Sequence, residues 1–166
     1  MVVHGGTAHF LHPAMLQSTK RQSREAALQS LDECASQAER LGVTLCLENL
    51  CYLDSIPGTL AETADVVRSV GRKSLQATLD VAHFHVSGET VESIRDAAPL
   101  IRHVHISDNN GLDDAHLPMG QGMLQVERFL PLLRAFEGPI VLEIEDVEDP
   151  VRSARESRAW LERYLS

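Results

Sequence analysis

The sequence predicts an α/β fold: a partial TIM (β/α)8 barrel of five parallel βα units, corresponding to strands 4–8 of the complete form. Three observations carry this reading. Short stretches of period two alternate with helical stretches along all 166 residues. Each short stretch has one apolar and one polar face. Polar residues suited to chemistry recur where these stretches end.

Taken in order, residues 1–4 form the first expected strand, and Ser23–Leu41 the first helix. That helix carries Ala27, Leu28, Leu31, Cys34, Ala38 and Leu41 on one face, with Gly42 as its stop. Val43–Glu48 is the second strand. Thr59 and Glu62 then form a capping box that opens a helix ending at Gly71. Leu75–Asp80 is the third strand, followed by a helix after Thr90 with Val91, Ile94, Ala97 and Ala98 as its stripe, stopped at Pro99. Arg102–Ser107 is the fourth strand, and a helix over Val126–Phe136 tolerates Pro131 near its start. Pro139–Ile144 is the fifth, and the last helix has Asp149 as N-cap and Pro150 at its first position.

Such alternation implies parallel strands joined by right-handed crossovers. The phase within each strand separates an open sheet from a barrel. Val43, Leu45 and Leu47 oppose Thr44, Cys46 and Glu48; Leu75, Ala77 and Leu79 oppose Gln76, Thr78 and Asp80. Val104 and Ile106 oppose His103 and His105; Ile140, Leu142 and Ile144 oppose Val141 and Glu143. An open sheet covered by helices on both sides is apolar on both faces. A sheet with one polar face suits a barrel, whose outer face meets helices and whose inner face looks into a lumen. A complete barrel takes about 250 residues. The chain is therefore expected to be one N-terminally incomplete domain over residues 1–166, lacking the first three units.

The net charge of −9 argues against a general nucleic-acid binder. The three cysteines, Cys34, Cys46 and Cys51, form no CxxC pair, and no signal peptide or membrane-length apolar run is present. A reduced, cytoplasmic protein with no membrane partner is the expectation.

Glu48, Asp80, His105 and Glu143 fall at the C-terminal ends of four strands, all in the lumen phase. Active sites of this architecture sit at that end. Three converging carboxylates repel unless a cation joins them, and carboxylates with one imidazole suit Mn2+, Zn2+, Co2+ or Mg2+. His83 follows Asp80 by three residues, Asp114 and His116 form an Asp-x-His pair in a long loop, and His4 ends the first strand. Each is placed to ligate a further metal or to hydrogen-bond substrate. Gly120 and Gly122 let backbone N–H groups approach an anion or simply make a turn. His103 reads as a barrel-interior histidine one layer below His105, and Trp160 as packing. His85, His9 and His12 have no assignable role.

Val43-Thr-Leu-Cys-Leu-Glu48-Asn49, Leu79-Asp80-Val-Ala-His83, His103-Val-His105-Ile-Ser-Asp108-Asn109, Asp114-Ala-His116-Leu-Pro-Met-Gly-Gln-Gly122 and Ile140-Val-Leu-Glu143-Ile resemble the xylose isomerase-like TIM-barrel superfamily. That group holds sugar (phosphate) isomerases and epimerases, inosose-processing enzymes and an apurinic-site endonuclease. The resemblance runs from the fourth barrel strand onward. It implies that Glu48, Asp80, His105 and Glu143 hold one metal and that His83 contacts substrate. The endonuclease branch implies further metal ligands at His4, His83, Asp114 and His116.

The favoured expectation is an isomerase or epimerase acting on a small sugar or polyol-ketone. The metal would chelate carbonyl and hydroxyl and stabilise an enediolate, while the two glutamates act as general base and acid. Asp114 and His116 join His83 as substrate-binding candidates. The alternatives are an apurinic-site endonuclease-like phosphodiesterase, inosose dehydration, and a non-catalytic truncated fragment. Open sheet edges lead to an expectation of homo-oligomers.

Overall fold

The structure, a computed structural model, describes residues 1–8, 13–146 and 148–165; His9 and His12 lie outside the described residues. Its elements are β1 (Val2–Val3), α1 (Leu16–Leu41), β2 (Leu45–Glu48), α2 (Leu60–Val70), β3 (Leu75–Asp80), α3 (Val81–Val86), α4 (Val91–Ala97), β4 (Ile101–Ile106), α5 (Leu130–Ala135), β5 (Ile140–Leu142) and α6 (Pro150–Leu165). The strands form one parallel sheet in the order β1-β2-β3-β4-β5, half of a barrel. Neighbours in sequence are neighbours in space, as consecutive βα units of a barrel are.

The phase expected from the sequence is the phase observed. Leu45, Leu47 and Leu75 pack outward against Leu31, Ala35 and Ala38 of α1 and Val66 and Val67 of α2. Ala77, Leu79, Val104 and Ile106 face a second cluster that includes Phe84, Ile94, Phe129, Leu133 and Leu161. Phe84 meets Phe129 edge-on, with ring centroids 5.8 Å apart. Burying each such side chain contributes about 1.5–3 kcal/mol, so the outer layer is where the half-barrel gets its cohesion.

Register within the sheet sets the site. Glu48 lies opposite Thr78, and Asp80 opposite His105, which in turn lies opposite Val141. Between Ala77↔Ile101 and Thr78↔His103 the pairing skips Arg102. That extra residue resets the alternation of β4, so Ile101 and Val104 both join the outer core while His103 and His105 face inward.

Several boundaries differ from the sequence reading. The first helix starts at Leu16, seven residues before Ser23, because a polar opening turn shows no apolar period. Its buried residues are Ala27, Leu31, Ala35 and Ala38, and Cys34 and Leu41 are exposed beside that stripe. Thr59 Oγ1 accepts from Glu62 N as the capping box requires, but the Glu62 carboxylate turns to Gly58 N instead of Thr59 N. The Val126–Phe136 segment divides into a 3-10 turn, Val126–Arg128, and the short α5, with Pro131 in the first turn. Helix α3 was not anticipated.

Among the described residues, no helix is long and apolar enough to cross a membrane.

Candidate metal centre and active site

Four side chains meet where β2, β3, β4 and β5 end. Glu48 is the last residue of β2, Asp80 the last of β3, His105 the penultimate of β4, and Glu143 the first beyond β5. One ligand atom from each lies within 4.8 Å of all the others. His105 Nδ1 is 3.0 Å from Glu48 Oε1, 2.7 Å from Glu143 Oε2 and 3.9 Å from Asp80 Oδ2. Glu48, Asp80 and His105 are buried, whereas the Glu143 side chain is 44% exposed and opens towards solvent.

The cluster gathers three carboxylates about one imidazole. Burial pushes the Asp80 carboxyl up to about 6, with Glu48 adding to the effect and His83 and His105 opposing it. Burial also disfavours a charged His105, but Glu143 and Glu48 outweigh this and hold its imidazolium up to about 10. Its contact with His105, working against burial, lowers the Glu143 carboxyl below the usual range. Asp80 Oδ1 accepts from His83 N at 2.7 Å, while Asp80 Oδ2 is buried with no hydrogen-bond partner. An orphaned carboxylate oxygen beside two more carboxylates and an imidazole fits a divalent metal.

His83, Asp114 and His116 form an adjoining group, as their shared positions in the sequence reading suggested. His83 Nε2 and His116 Nε2 lie 3.0 and 2.9 Å from the same oxygen, Asp114 Oδ1. Their Nδ1 atoms face main-chain carbonyls, of Asn49 and Glu143 respectively, each at 2.9 Å. A carbonyl only accepts, so Nδ1 carries the proton in both rings and Nε2 is turned to Asp114. Burial works to raise the Asp114 carboxyl, and the two imidazoles overcome it and hold it well below the carboxylate range. Burial disfavours a charged His83, but Asp114 and Asp80 outweigh it and bring it up to about 9; the bond to Asp114, against burial, brings His116 up to about 9 as well. His83 Nδ1 is also 3.6 Å from Glu48 Oε1, which joins the two groups.

His4 belongs with the first group: its Nε2 lies 3.1 Å from Glu48 Oε2, and its side chain is largely exposed. His103 sits under His105, ring centroids 5.0 Å apart and edge-on. His85 Nδ1 pairs with Asn109 Oδ1 at 2.7 Å. Trp160 packs against the core beside Tyr164.

The anion approached by Gly120 and Gly122 is the chain's own Asp108. Its Oδ2 accepts from both glycine N–H groups, and its Oδ1 from Asn109 N and Leu124 N, all at 2.9 Å. Asp108 thereby ties both ends of the loop that carries Asp114 and His116. Sequence reasoning missed Asp108, Asn49, Cys51 and Tyr52. Cys51 lies within 4.8 Å of His83 and Asp114, and Tyr52 Oη is 3.3 Å from Asp114 Oδ2. A polar residue directly after a strand end was the one available signal for Asn49 and Asp108.

Comparison with known proteins matches residues 1–164 to the family described as xylose isomerase-like TIM barrel. An uncharacterised protein of Methanocaldococcus jannaschii is 32% identical over 139 residues, 80% of this chain and 47% of its own. The 3-dehydro-D-guloside 4-epimerase of Escherichia coli is 30% identical over 143 residues, 83% of this chain and 53% of its own. The crystal structure of a D-tagatose 3-epimerase-like protein superposes with a TM-score of 0.81 at 27% identity, covering 99% of this chain and 61% of that one. The chain spans about half the length of the curated relatives it matches. Named relatives are sugar epimerases and isomerases, and the half-barrel described above is the part of their fold that this chain shares. It belongs to the xylose isomerase-like TIM barrel family.

Proposed function

We propose that this chain carries the catalytic half of a divalent-metal-dependent sugar isomerase or epimerase that moves a proton on a carbon next to a carbonyl. The observation that carries the reading is the convergence of Glu48, Asp80, His105 and Glu143 within 4.8 Å at the lumen ends of adjacent strands. The relatives' names describe the same chemistry: a 4-epimerase acting on a 3-dehydro sugar works on the carbon beside the ketone.

Glu48, Asp80, His105 and Glu143 would hold the metal. When bound, the metal supplies Lewis-acid polarisation of the substrate carbonyl, which acidifies the neighbouring C–H. Glu48 and Glu143 stand on β2 and beyond β5, on either side of the Asp80–His105 pair. One carboxylate removes the carbon-bound proton as general base, and the other delivers a proton from the opposite side as general acid. Return to the same carbon inverts it; return to the former carbonyl carbon isomerises the sugar. Glu48, buried and held between His4 and His105, has the more fixed position. His83, Asp114 and His116 line the adjoining wall with polar atoms that suit substrate hydroxyls.

A second reading places another cation on His83, Asp114 and His116, as a metal-dependent phosphodiesterase would need. The specific observation in its favour is that both Nε2 atoms aim at one carboxylate oxygen while both Nδ1 atoms are held by carbonyls. The net charge of −9 weighs against a nucleic-acid substrate.

The test incubates the manganese-loaded protein with ketoses and 3-keto sugars in deuterated water, and separately with abasic-site duplex. Deuterium should enter the carbon beside the carbonyl, and Glu48→Gln and Glu143→Gln should each lose on the order of a hundredfold or more. Duplex nicking with two metals bound per chain and no deuterium uptake would reverse the ranking.

A further inference from the structure

We infer that Asn49 is a positioning residue: its carboxamide extends the β2–β3 ladder past its end and so holds Asp80 and His83 at the metal centre. The inference rests on the metal reading above and concerns how the chain aims its ligands. Pairing between β2 and β3 runs through Glu48↔Thr78, where β2 stops, while β3 continues to Asp80. At that level the partner main chain has departed. Asn49 replaces it with its side chain: Nδ2 donates to Asp80 O at 3.1 Å, and Oδ1 accepts from Asp80 N at 2.8 Å. One carboxamide thus satisfies both main-chain polar groups of a fully buried residue, a task that two separate main-chain groups of a partner strand would otherwise perform.

The main chain of the same residue acts on the other side, where Asn49 O accepts from His83 Nδ1 at 2.9 Å. His83 in turn donates its N–H to Asp80 Oδ1, capping α3. These contacts close a ring through Asn49, Asp80 and His83. Within it, Asp80 Oδ1 is committed, so only Oδ2, buried and unpartnered, is presented to Glu48 and His105. Asp80 is therefore a one-oxygen ligand whose direction is set by its neighbour. Asn49 itself is fully buried and has no atom among the four ligands. Aspartate at this position keeps the shape and the acceptor but loses the donor to Asp80 O.

The test titrates manganese into metal-free wild type, Asn49→Ala, Asn49→Asp and Ser74→Ala by calorimetry, with denaturation curves for each. Ser74 is the structural control, a buried hydroxyl donating to Ala35 O at 2.7 Å on the helix side of the sheet. Both Asn49 variants should bind manganese on the order of tenfold or more weakly, as lost outer hydrogen bonds to ligands do. Ser74→Ala should bind within about twofold of wild type even where its stability falls as far. Wild-type affinity in either folded Asn49 variant overturns the inference, as does an affinity loss matched by Ser74→Ala at equal loss of stability. If neither Asn49 variant folds, the residue is a stability residue and the inference is likewise overturned. Normal manganese binding by wild type without sugar exchange overturns the reaction proposed above and leaves this inference standing. Absence of manganese binding by folded wild type overturns both.

Discussion

Replacing Asp80 with Asn should stabilise the metal-free protein and remove most of the stabilisation that a bound metal gives. The substitution is isosteric, and the amide oxygen keeps the 2.7 Å bond from His83 N. The amide nitrogen takes the place of an oxygen that is buried, without a hydrogen-bond partner, and set among the Glu48 and Glu143 carboxylates and the His105 imidazole. In the metal-free protein, burial raises the Asp80 carboxyl from 3.8 to about 6. Two units correspond to roughly 3 kcal/mol of cost for keeping it ionised. The folded value is the raised one, so this contribution to stability is fully present below about pH 4 and is lost as pH rises through about 6. In chelator at pH 7–8 the variant should be more stable by roughly 1–3 kcal/mol, several degrees in melting temperature for a chain of this size. Manganese at a hundredfold over its dissociation constant should add about 2.7 kcal/mol to wild type. The variant, lacking a charged ligand, should gain far less. Thermal scans in chelator and in manganese measure both arms. A less stable variant in chelator would refute the argument that burial makes an ionised Asp80 costly, and equal stabilisation by manganese would refute its role as ligand.

Gly122→Ala should cost about 1–3 kcal/mol, because a Cβ there would lie 2.4 Å from both Asn109 O and Asp108 Oδ1; urea denaturation indistinguishable from wild type would contradict the Asp108 cradle. At pH 8 iodoacetamide should label exposed Cys34 first and Cys51 slowly, since burial with Asp114 and Asp80 pushes the Cys51 thiol up to about 12. Labelling of Cys51 should accelerate as pH rises, and mass spectrometry showing it as the fast site at pH 8 would contradict this environment. The outer edges of β1 and β5 are unpaired among the described residues, and a groove of about 460 Å3 runs beside β1 and α1. The isolated chain should therefore self-associate at low micromolar concentration, and a compact monomer with a sharp thermal transition in sedimentation and melting experiments would show that five units suffice.

The strand phases were readable because period two is a local property: each lumen-facing residue is two positions from the next, whatever surrounds it. With the phases known, Glu48, Asp80, His105 and Glu143 could be placed at one end of one face before any contact was seen, and the structure brings them together. The order of the strands followed from reading consecutive βα units as part of a barrel, in which each strand pairs with the next. Tertiary structure decided everything that depends on how two distant segments meet. The skipped pairing at Arg102, which turns His103 and His105 inward while leaving Ile101 in the core, exists only between β3 and β4. Helix α3 is too short to show a period and is started by a side chain already assigned to the metal. Asp108 receives N–H groups from residues up to sixteen positions away, so its neighbours in sequence say little about its task. The separation of His4 from His83, Asp114 and His116 was likewise invisible from spacing, because it follows from the register of β1 on β2, Val3 opposite Leu47, which sets His4 beside Glu48. Spacing along the chain determines which face a residue takes; only the pairing and register of the strands and the path of the loops determine which residues on that face touch.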